Sequence, residues 1–296
     1  MSNNPLVSVI CLCYNHAEYV LEAIRSVWNQ SYKNIELIVV DDGSTDESKV
    51  IIEKELKNSK AQFVSLNENV GMCAAFNFGL HRSSGQFIID LAADDILLED
   101  RIGVGVEDFK NNGNKPTVHF SDAWICDING EKISSFYQRD TLGNLLERVP
   151  YGDIYLELIT SYFICAPTMM IHREILEFLK GYDEDLVYED FDFWIRSSRH
   201  FPYIFNDTAL VKKRVLQDSD STNQFALRNK HSRTTLKVCQ KISNLNKSQV
   251  EDSALVKRCY YEIRLCFKSL NLELIFSYLK LIFLLKRRIS TNQYVN

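Results

Sequence analysis

No stretch of this 296-residue chain is apolar for long enough to cross a bilayer. The longest candidate, Leu272 to Leu285 (LELIFSYLKLIFLL), runs 14 residues, where about 20 are needed. The eight cysteines form no CxxC pair and no His cluster stands at ligand spacing, which argues against a zinc site and a disulfide framework. They read as reduced thiols of a cytosolic protein. Cys11 and Cys13 alternate along one apolar run and so share a face, the pattern of core packing. The opening residues MSNNPLVSVICLCYN lack a basic n-region, and a secretory signal is not expected. Internal repeats and low-complexity segments are missing too. What is present is ordinary for a globular protein, with 46% hydrophobic and 25% charged residues. The length suits one main domain with an appendage.

Charge is unevenly spread. Residues 1–221 carry 20 Lys+Arg against 35 Asp+Glu, and residues 222–296 carry 14 against 4, so a front of −15 precedes a tail of +10. That asymmetry points to a tail that meets an anionic surface, a membrane or a nucleic acid, or else to a solvated helical face. Gly and Pro disappear from Phe225 onward, and the pattern there is helical to the end. Within Leu272 to Leu285, Glu273, Ser277 and Lys280 share one helical face. Ile275, Phe276, Leu279, Ile282 and Phe283 cover much of the rest, and Lys286-Arg287-Arg288 follows. This is the layout of an interfacial helix with a basic edge, or of a helix packed on the protein's own core or in a dimer.

Ahead of the tail, short apolar runs alternate with helical periods. Leu6 to Cys13, Ile35 to Val40, Gln62 to Leu66 and Gln86 to Leu91 read as strands, and Ala17 to Asn29, Glu47 to Lys57 and Cys73 to Leu80 as helices. Ser44 or Thr45 is expected to cap the second helix. The alternation predicts a parallel sheet with right-handed crossovers. A helix over Asp100 to Asn111, a strand over Thr117 to Cys126 with a tight turn at Asn129-Gly130, a buried strand over Ser161 to Ile171 and a helix over Glu174 to Leu179 ended by Gly181 follow. Asp41, Asp42, Asp94 and Asp95 fall at the carboxyl ends of strands, where such sheets bind ligands. A third acidic cluster lies at Glu189-Asp190. Together these acids suit a hard divalent cation set against phosphates, and a carboxylate base for an acceptor hydroxyl.

Four ordered stretches carry a resemblance to a known family. They are VSVICLCYNHAEYVLEAIRSVWNQSYKNIELIVVDDGSTDES, NENVGMCAAFNFGL, GQFIIDLAADD and GYDEDLVYEDFDFWIR. Over about residues 7–196 the chain resembles the inverting GT-A glycosyltransferases of the family 2 type. The resemblance implies an α/β GT-A fold, a mostly parallel sheet flanked by helices, with a helical C-terminal tail. It implies that Tyr14 lies beside the nucleotide base, that Asp41 accepts a hydrogen bond from the base ring, and that Asp94 touches the ribose or donor sugar. Asp95 would ligate a divalent cation, Mn²⁺ or Mg²⁺, that bridges the two phosphates. Asp190 would be the general base, oriented by Glu189, with Trp194 and Arg196 shaping the acceptor side or packing there. Asn69 and Asn77 are given either a structural or a donor-lining part.

The chain departs from the family pattern at Ala92, which replaces the first metal-motif acid, and at Phe76, which replaces an Arg. His81 or Arg82 is the expected substitute for that Arg. Leu216-Gln217-Asp218-Ser219 stands where a His often precedes a Ser.

The resulting expectation is a catalytic domain over residues 1–215 and a basic helical tail over 216–296, membrane-associating or dimerising. The donor would be a nucleotide-diphosphate sugar, a UDP-sugar first and a dTDP-sugar second, and the acceptor a saccharide or lipid-linked hydroxyl in cell-surface polysaccharide or glycolipid synthesis. The place of work would be the cytoplasmic side, peripheral to the inner face of the cell membrane, with a homodimer as an option. No nucleic-acid partner is expected. The rivals are a nucleotidyltransferase, against which Cys11 to Ala17 (CLCYNHA) offers no glycine-rich phosphate loop, and an inactive sugar-nucleotide-binding subunit, which Ala92 and Phe76 favour.

Overall fold

The computed structural model describes residues 4–216 and 230–294. Two units divide them, the first made of 4–153, 164–184 and 201–216, the second of 154–163, 185–200 and 230–294.

The first unit is built on a nine-stranded mixed sheet. Its strands are β1 (Val7–Cys13), β2 (Ile35–Asp41), β3 (Gln62–Ser65), β4 (Phe87–Ala92), β5 (Ile96–Leu97), β6 (Val118–Cys126), β7 (Lys132–Ser135), β8 (Met170–His172) and β9 (Tyr203–Arg214). They lie in the order β3-β2-β1-β4-β8-β6-β9-β5, with β7 paired on β6. The first four are mutually parallel, as the strand-helix alternation predicts. β1 and β2 are apolar almost throughout because helices cover the sheet on both faces. Helices α1 (Val20–Trp28), α2 (Ser48–Leu56) and α4 (Arg101–Asn111) bury Ile24, Ile52 and Phe109 against Val9, Cys11, Val39 and Ile89. On the other face lies α3 (Met72–Arg82), where Gly79 is needed because a Cβ would run into Ile10. Each fully buried large aliphatic side chain in this core contributes about 2 kcal/mol.

Connections among the strands differ from the sequence expectation in three places. Ser44 and Thr45 do not cap α2; Asp46 accepts the Ser48 N–H at 2.9 Å and also holds the Ala17 N–H, tying two loops together. Of the strand expected over Ser161 to Ile171, only its end joins β8, since Ala166–Thr168 around Pro167 forms a 3-10 turn. Helix α6 (Arg173–Leu179) ends with Lys180 in the left-handed region at φ 60° and Gly181 following at φ 77°, rather than by Gly181 alone. The tight turn at Asn129-Gly130 is present, with Asp127 and Glu131 closing the β6–β7 hairpin. In the irregular region after it, Arg139 is fastened to the fully buried Asp122 through both Nε and Nη2.

The second unit is helical. α5 (Tyr155–Thr160) and α7 (Asp190–Ser198) belong to it together with α8 (Lys230–Leu245), α9 (Gln249–Lys268) and α10 (Leu272–Thr291). The helical part is therefore larger than a tail beginning at residue 216. Buried Arg258 of α9 ties the unit, bonding Glu262 at 2.7 Å and lying 4.7 Å over the Phe191 ring of α7. Asp252, also buried, accepts from Arg288 of α10 and from Asn246. A capping box, Ser248 with Glu251, starts α9. Residues 225–229, expected to be helical, and Gln217 to Ser219 lie outside the described residues.

Candidate active site

The direction of the crossovers decides where a ligand can sit. From β1 the chain moves one way to β2 and β3, then returns to place β4 on β1's other side. Loops leaving β1 and β4 thus part in opposite directions and open a crevice at the strands' carboxyl ends. Register brings the ends together, Cys13 beside Asp41 and Leu12 beside Ala92. Tyr14, Asp41, Asp94 and Asp95 all follow or close these strands.

The loop after β1 is braced from below. Asn15, at φ 55°, accepts the Thr45 N–H at 2.8 Å and donates its own N–H to Ser44 Oγ. Tyr14 is left 45% exposed beside it. Asp41 is buried; its Oδ1 accepts the Ser44 N–H at 3.1 Å, while its Oδ2 has no hydrogen-bond partner. A buried carboxylate oxygen without a donor is costly, and an N–H from a ligand would relieve it. Asp42 is different. Its two oxygens accept the Val70 and Gly71 N–H groups at 2.8 and 3.0 Å, so it holds the loop before α3, and burial raises its pKa against those donors. Gly43, at φ 70°, packs so tightly on the Glu68-Asn69 backbone that no side chain fits.

Asn69 lies exposed on that same loop. Asn77 is buried and its amide is committed: Nδ2 donates to Tyr182 O and Glu184 Oε1, and Oδ1 accepts the Tyr182 N–H. Of the two parts left open for Asn77, the structure favours the structural one. Phe76 is a core residue stacked on Tyr182 at 4.1 Å. His81 and Arg82 do not replace the missing Arg, because α3 runs back along the sheet and carries them to its amino end, where Arg82 O meets Gln62, the first residue of β3. Eleven helical residues span about 16 Å.

Asp94 and Asp95 follow β4, with Ala93 turned into the core. Asp95 is 3% exposed and its Oδ1 accepts the Arg214 N–H at 2.9 Å. Burial first, and then the Asp94 charge, raise its pKa. A desolvated carboxylate next to a second one fits a hard divalent cation that takes its remaining ligands from phosphate and water. Among the described residues no group of three or more His, Cys, Asp or Glu would hold an ion unaided. His16 Nδ1 lies 3.9 Å from Asp94 Oδ1.

Sequence reasoning passed over Arg214 as a site residue. Its side chain is 3% exposed at the end of β9; Nε donates to Asp94 O at 3.0 Å, Nη2 to Glu22 Oε2 at 2.6 Å and Nη1 to Ile128 O, with the guanidinium 4.7 Å over the Tyr19 ring. It fixes the backbone that carries both acids. No local signal marks it, since its partners lie far off in sequence.

Glu189 and Asp190 belong to the second unit, as the N-cap and first residue of α7. Asp192, two residues on, is buried and bonds Arg196 at 2.6 Å and Lys241 at 2.5 Å. Trp194 is 4% exposed and packs near Tyr162. Arg196 and Trp194 therefore take part in packing this unit.

Residues 8–179 match the family described as Glycosyl transferase family 2. An uncharacterized glycosyltransferase of Methanocaldococcus jannaschii is 29% identical over 240 residues, 79% of this chain and 79% of that protein. Another, of Rickettsia typhi, is 31% identical over 226 residues, 74% of this chain and 67% of its own length. Among solved structures, S. aureus TarS 1-349 in complex with UDP-GlcNAc has a TM-score of 0.63 at 16% identity, over 98% of this chain and 93% of that one. Mannosyltransferase PcManGT from Pyrobaculum calidifontis, in complex with GDP-Man and Mn²⁺, has a TM-score of 0.61 at 15% identity, over 99% and 89%. With the fold shared and the family matched over more than half its length, the chain belongs to glycosyl transferase family 2 and is a glycosyltransferase.

Proposed function

We propose that this enzyme transfers a sugar from a nucleotide-diphosphate donor to an acceptor hydroxyl with inversion at the anomeric carbon, in the synthesis of a cell-surface polysaccharide or glycolipid. The observation that carries the donor half is the buried, unsatisfied Asp41 Oδ2 at the strand ends that also bear Asp94 and Asp95. An acceptor oxygen there suits the ring N–H of uracil, or of thymine, with Tyr14 against the base. The UDP and UDP-GlcNAc complexes of TarS support uridine as the first choice. Asp94 would meet the ribose or donor sugar, and Asp95 would hold a Mn²⁺ or Mg²⁺ ion, as the Mn²⁺ in the PcManGT complex suggests by analogy. When bound, the cation neutralises charge that develops on the departing diphosphate. Asp190 takes the proton of the acceptor hydroxyl as it attacks, Glu189 orients that carboxylate, and a single displacement gives inversion. The acceptor is a saccharide or lipid-linked hydroxyl met at the inner face of the cell membrane.

The test is a panel of nucleotide sugars with Mn²⁺, Mg²⁺ or EDTA, following binding and slow hydrolysis in wild type, Asp95→Ala and Asp190→Asn. One donor should bind only with metal, Asp95→Ala should abolish that binding, and Asp190→Asn should bind without turnover. The chain carries Ala92 where the family has an acid. Should donor bind with no turnover in wild type, a sugar-nucleotide-binding subunit replaces the transferase reading.

A further inference from the structure

The acids of the last two helices are almost all withdrawn from the surface. Glu251 bonds Arg199 at 2.7 Å, buried Asp252 bonds Arg288, and buried Glu262 bonds Arg258. Glu273 is the exposed acid among the described residues of α9 and α10, and Arg233 of α8 pairs with it at 3.1 Å. The cations are treated in the opposite way. Lys257, Arg264 and Lys268 of α9 and Lys280, Lys286 and Arg287 of α10 are all exposed. Six cations are thus exposed on this pair of helices, while three of its four acids are buried or held in ion pairs within the unit.

The same pair exposes an apolar stripe. Helix α10 buries Leu274, Ile275, Tyr278, Leu281, Ile282 and Leu285 in its own unit. Leu272, Phe276, Leu279 and Phe283, spaced four, three and four apart, form a second face that is 57, 73, 45 and 67% exposed. Phe267 near the end of α9 and Leu270 in the α9–α10 turn are exposed as well. The two helices adjoin at the far end, where Lys286 Nζ donates to Tyr260 Oη at 3.0 Å. Four large side chains in line exceed what a lone exposed Leu would mean.

We propose that this face of α9 and α10 docks on an anionic lipid surface, α10 lying in the plane of the interface. The apolar stripe enters the headgroup and acyl boundary while the lysines and arginines beside it meet lipid phosphates. Lys280 follows Phe276 by four residues and Arg287 follows Phe283 by four, so each cation stands next to a ring of the stripe. A second copy of the chain fits worse, because an isologous contact would bring these cations against one another with Glu273, already paired with Arg233, as the exposed acid among the described residues of the two helices. Nucleic acid would use the cations but leave the stripe in water. No described helix is long and apolar enough to cross a membrane, so the contact is with the surface. The docking surface stands on α9 and α10 alone; its consequence, that the acceptor is lipid-linked, rests on the transferase reading.

The full chain is mixed with vesicles of phosphatidylcholine, with or without about 30% phosphatidylglycerol, and the bound fraction is read by co-sedimentation. The protein should bind the anionic vesicles, and raising salt from about 0.1 to 0.5 M should release part of it. Phe276→Ser with Phe283→Ser should weaken binding by about tenfold or more. Lys280→Gln with Arg287→Gln should remove the preference for anionic over neutral vesicles. All four side chains are exposed, and equal melting temperatures and donor hydrolysis without vesicles would show that the variants remain folded. Equal binding by wild type and the Phe variant, no binding to anionic vesicles, or a dimer that the Phe variant dissolves would overturn the proposal. Vesicle binding without donor turnover would sink the transferase reading and leave the surface; turnover without vesicle binding would do the reverse.

Discussion

Asp41 and Asp42 stand side by side with opposite tasks. Asp42 gives both oxygens to backbone N–H groups, while Asp41 gives one and keeps the other buried and unmatched. The sequence shows only Asp-Asp at a strand end, and no local rule says which acid is structural. Exchange of Asp41 for Asn would keep an oxygen for the Ser44 N–H and put an NH₂ group where the base N–H is to arrive. Two donors would then oppose each other, and we expect UDP affinity to fall about tenfold or more, roughly 1.5 kcal/mol, by titration calorimetry. Stability should hold or rise, because a buried carboxylate is removed. Unchanged affinity would show that the base lies elsewhere. At Asn77 the decision between two parts was likewise tertiary, made by Tyr182 and Glu184 more than 100 residues away in sequence.

At the scale of elements, the ends of β4 and β9 act as one piece. β5 pairs with β9, Ile96 beside Lys212, and this carries Arg214 behind Asp94 and Asp95. The guanidinium then ties the Asp94 carbonyl, Ile128 and Glu22 together. Lys in place of Arg214 keeps a charge but loses the fork that reaches three acceptors. With the supporting shell loosened, affinity for Mn²⁺ in the presence of UDP should drop about tenfold, measured by paramagnetic resonance of free Mn²⁺. An unaltered affinity with lower thermal stability would leave Arg214 a merely structural residue. Strand and helix periods revealed nearly every element of the first half, since β1, β2 and β4 are mostly apolar and α1 to α3 are flanked by loops rich in turn residues. The Ser161 to Ile171 run misled because its apolar residues lead into a half-buried 3-10 turn around Pro167 before the strand begins at Met170. The burial of α10 on one side only was also beyond its sequence, as both faces are apolar.

For the whole molecule, a buried His makes stability depend on pH. His119 of β6 is fully buried with Nε2 2.9 Å from Asp108 Oδ2, and burial pushes its pKa from 6.5 down to about 4. The fold therefore favours the neutral ring. Its contribution is complete above pH 6.5; below that the unfolded chain takes up a proton that the folded chain refuses until about pH 4. Stability should fall across that window by on the order of 3 kcal/mol at most. Urea unfolding at pH 7 and pH 4.5, compared with His119→Gln, should show a shallower loss in the variant; parallel losses would assign the slope to other groups. The sequence by itself determined the α/β class, the strand ends that carry the acids and the family, because each rests on local periodicity or ordered motifs. Tertiary structure decided which acids and amides are structural, that Arg214 supports the acid pair, and that α5 and α7 join the C-terminal helices in one unit. These depend on contacts between residues tens to hundreds of positions apart, and no local pattern encodes such distances.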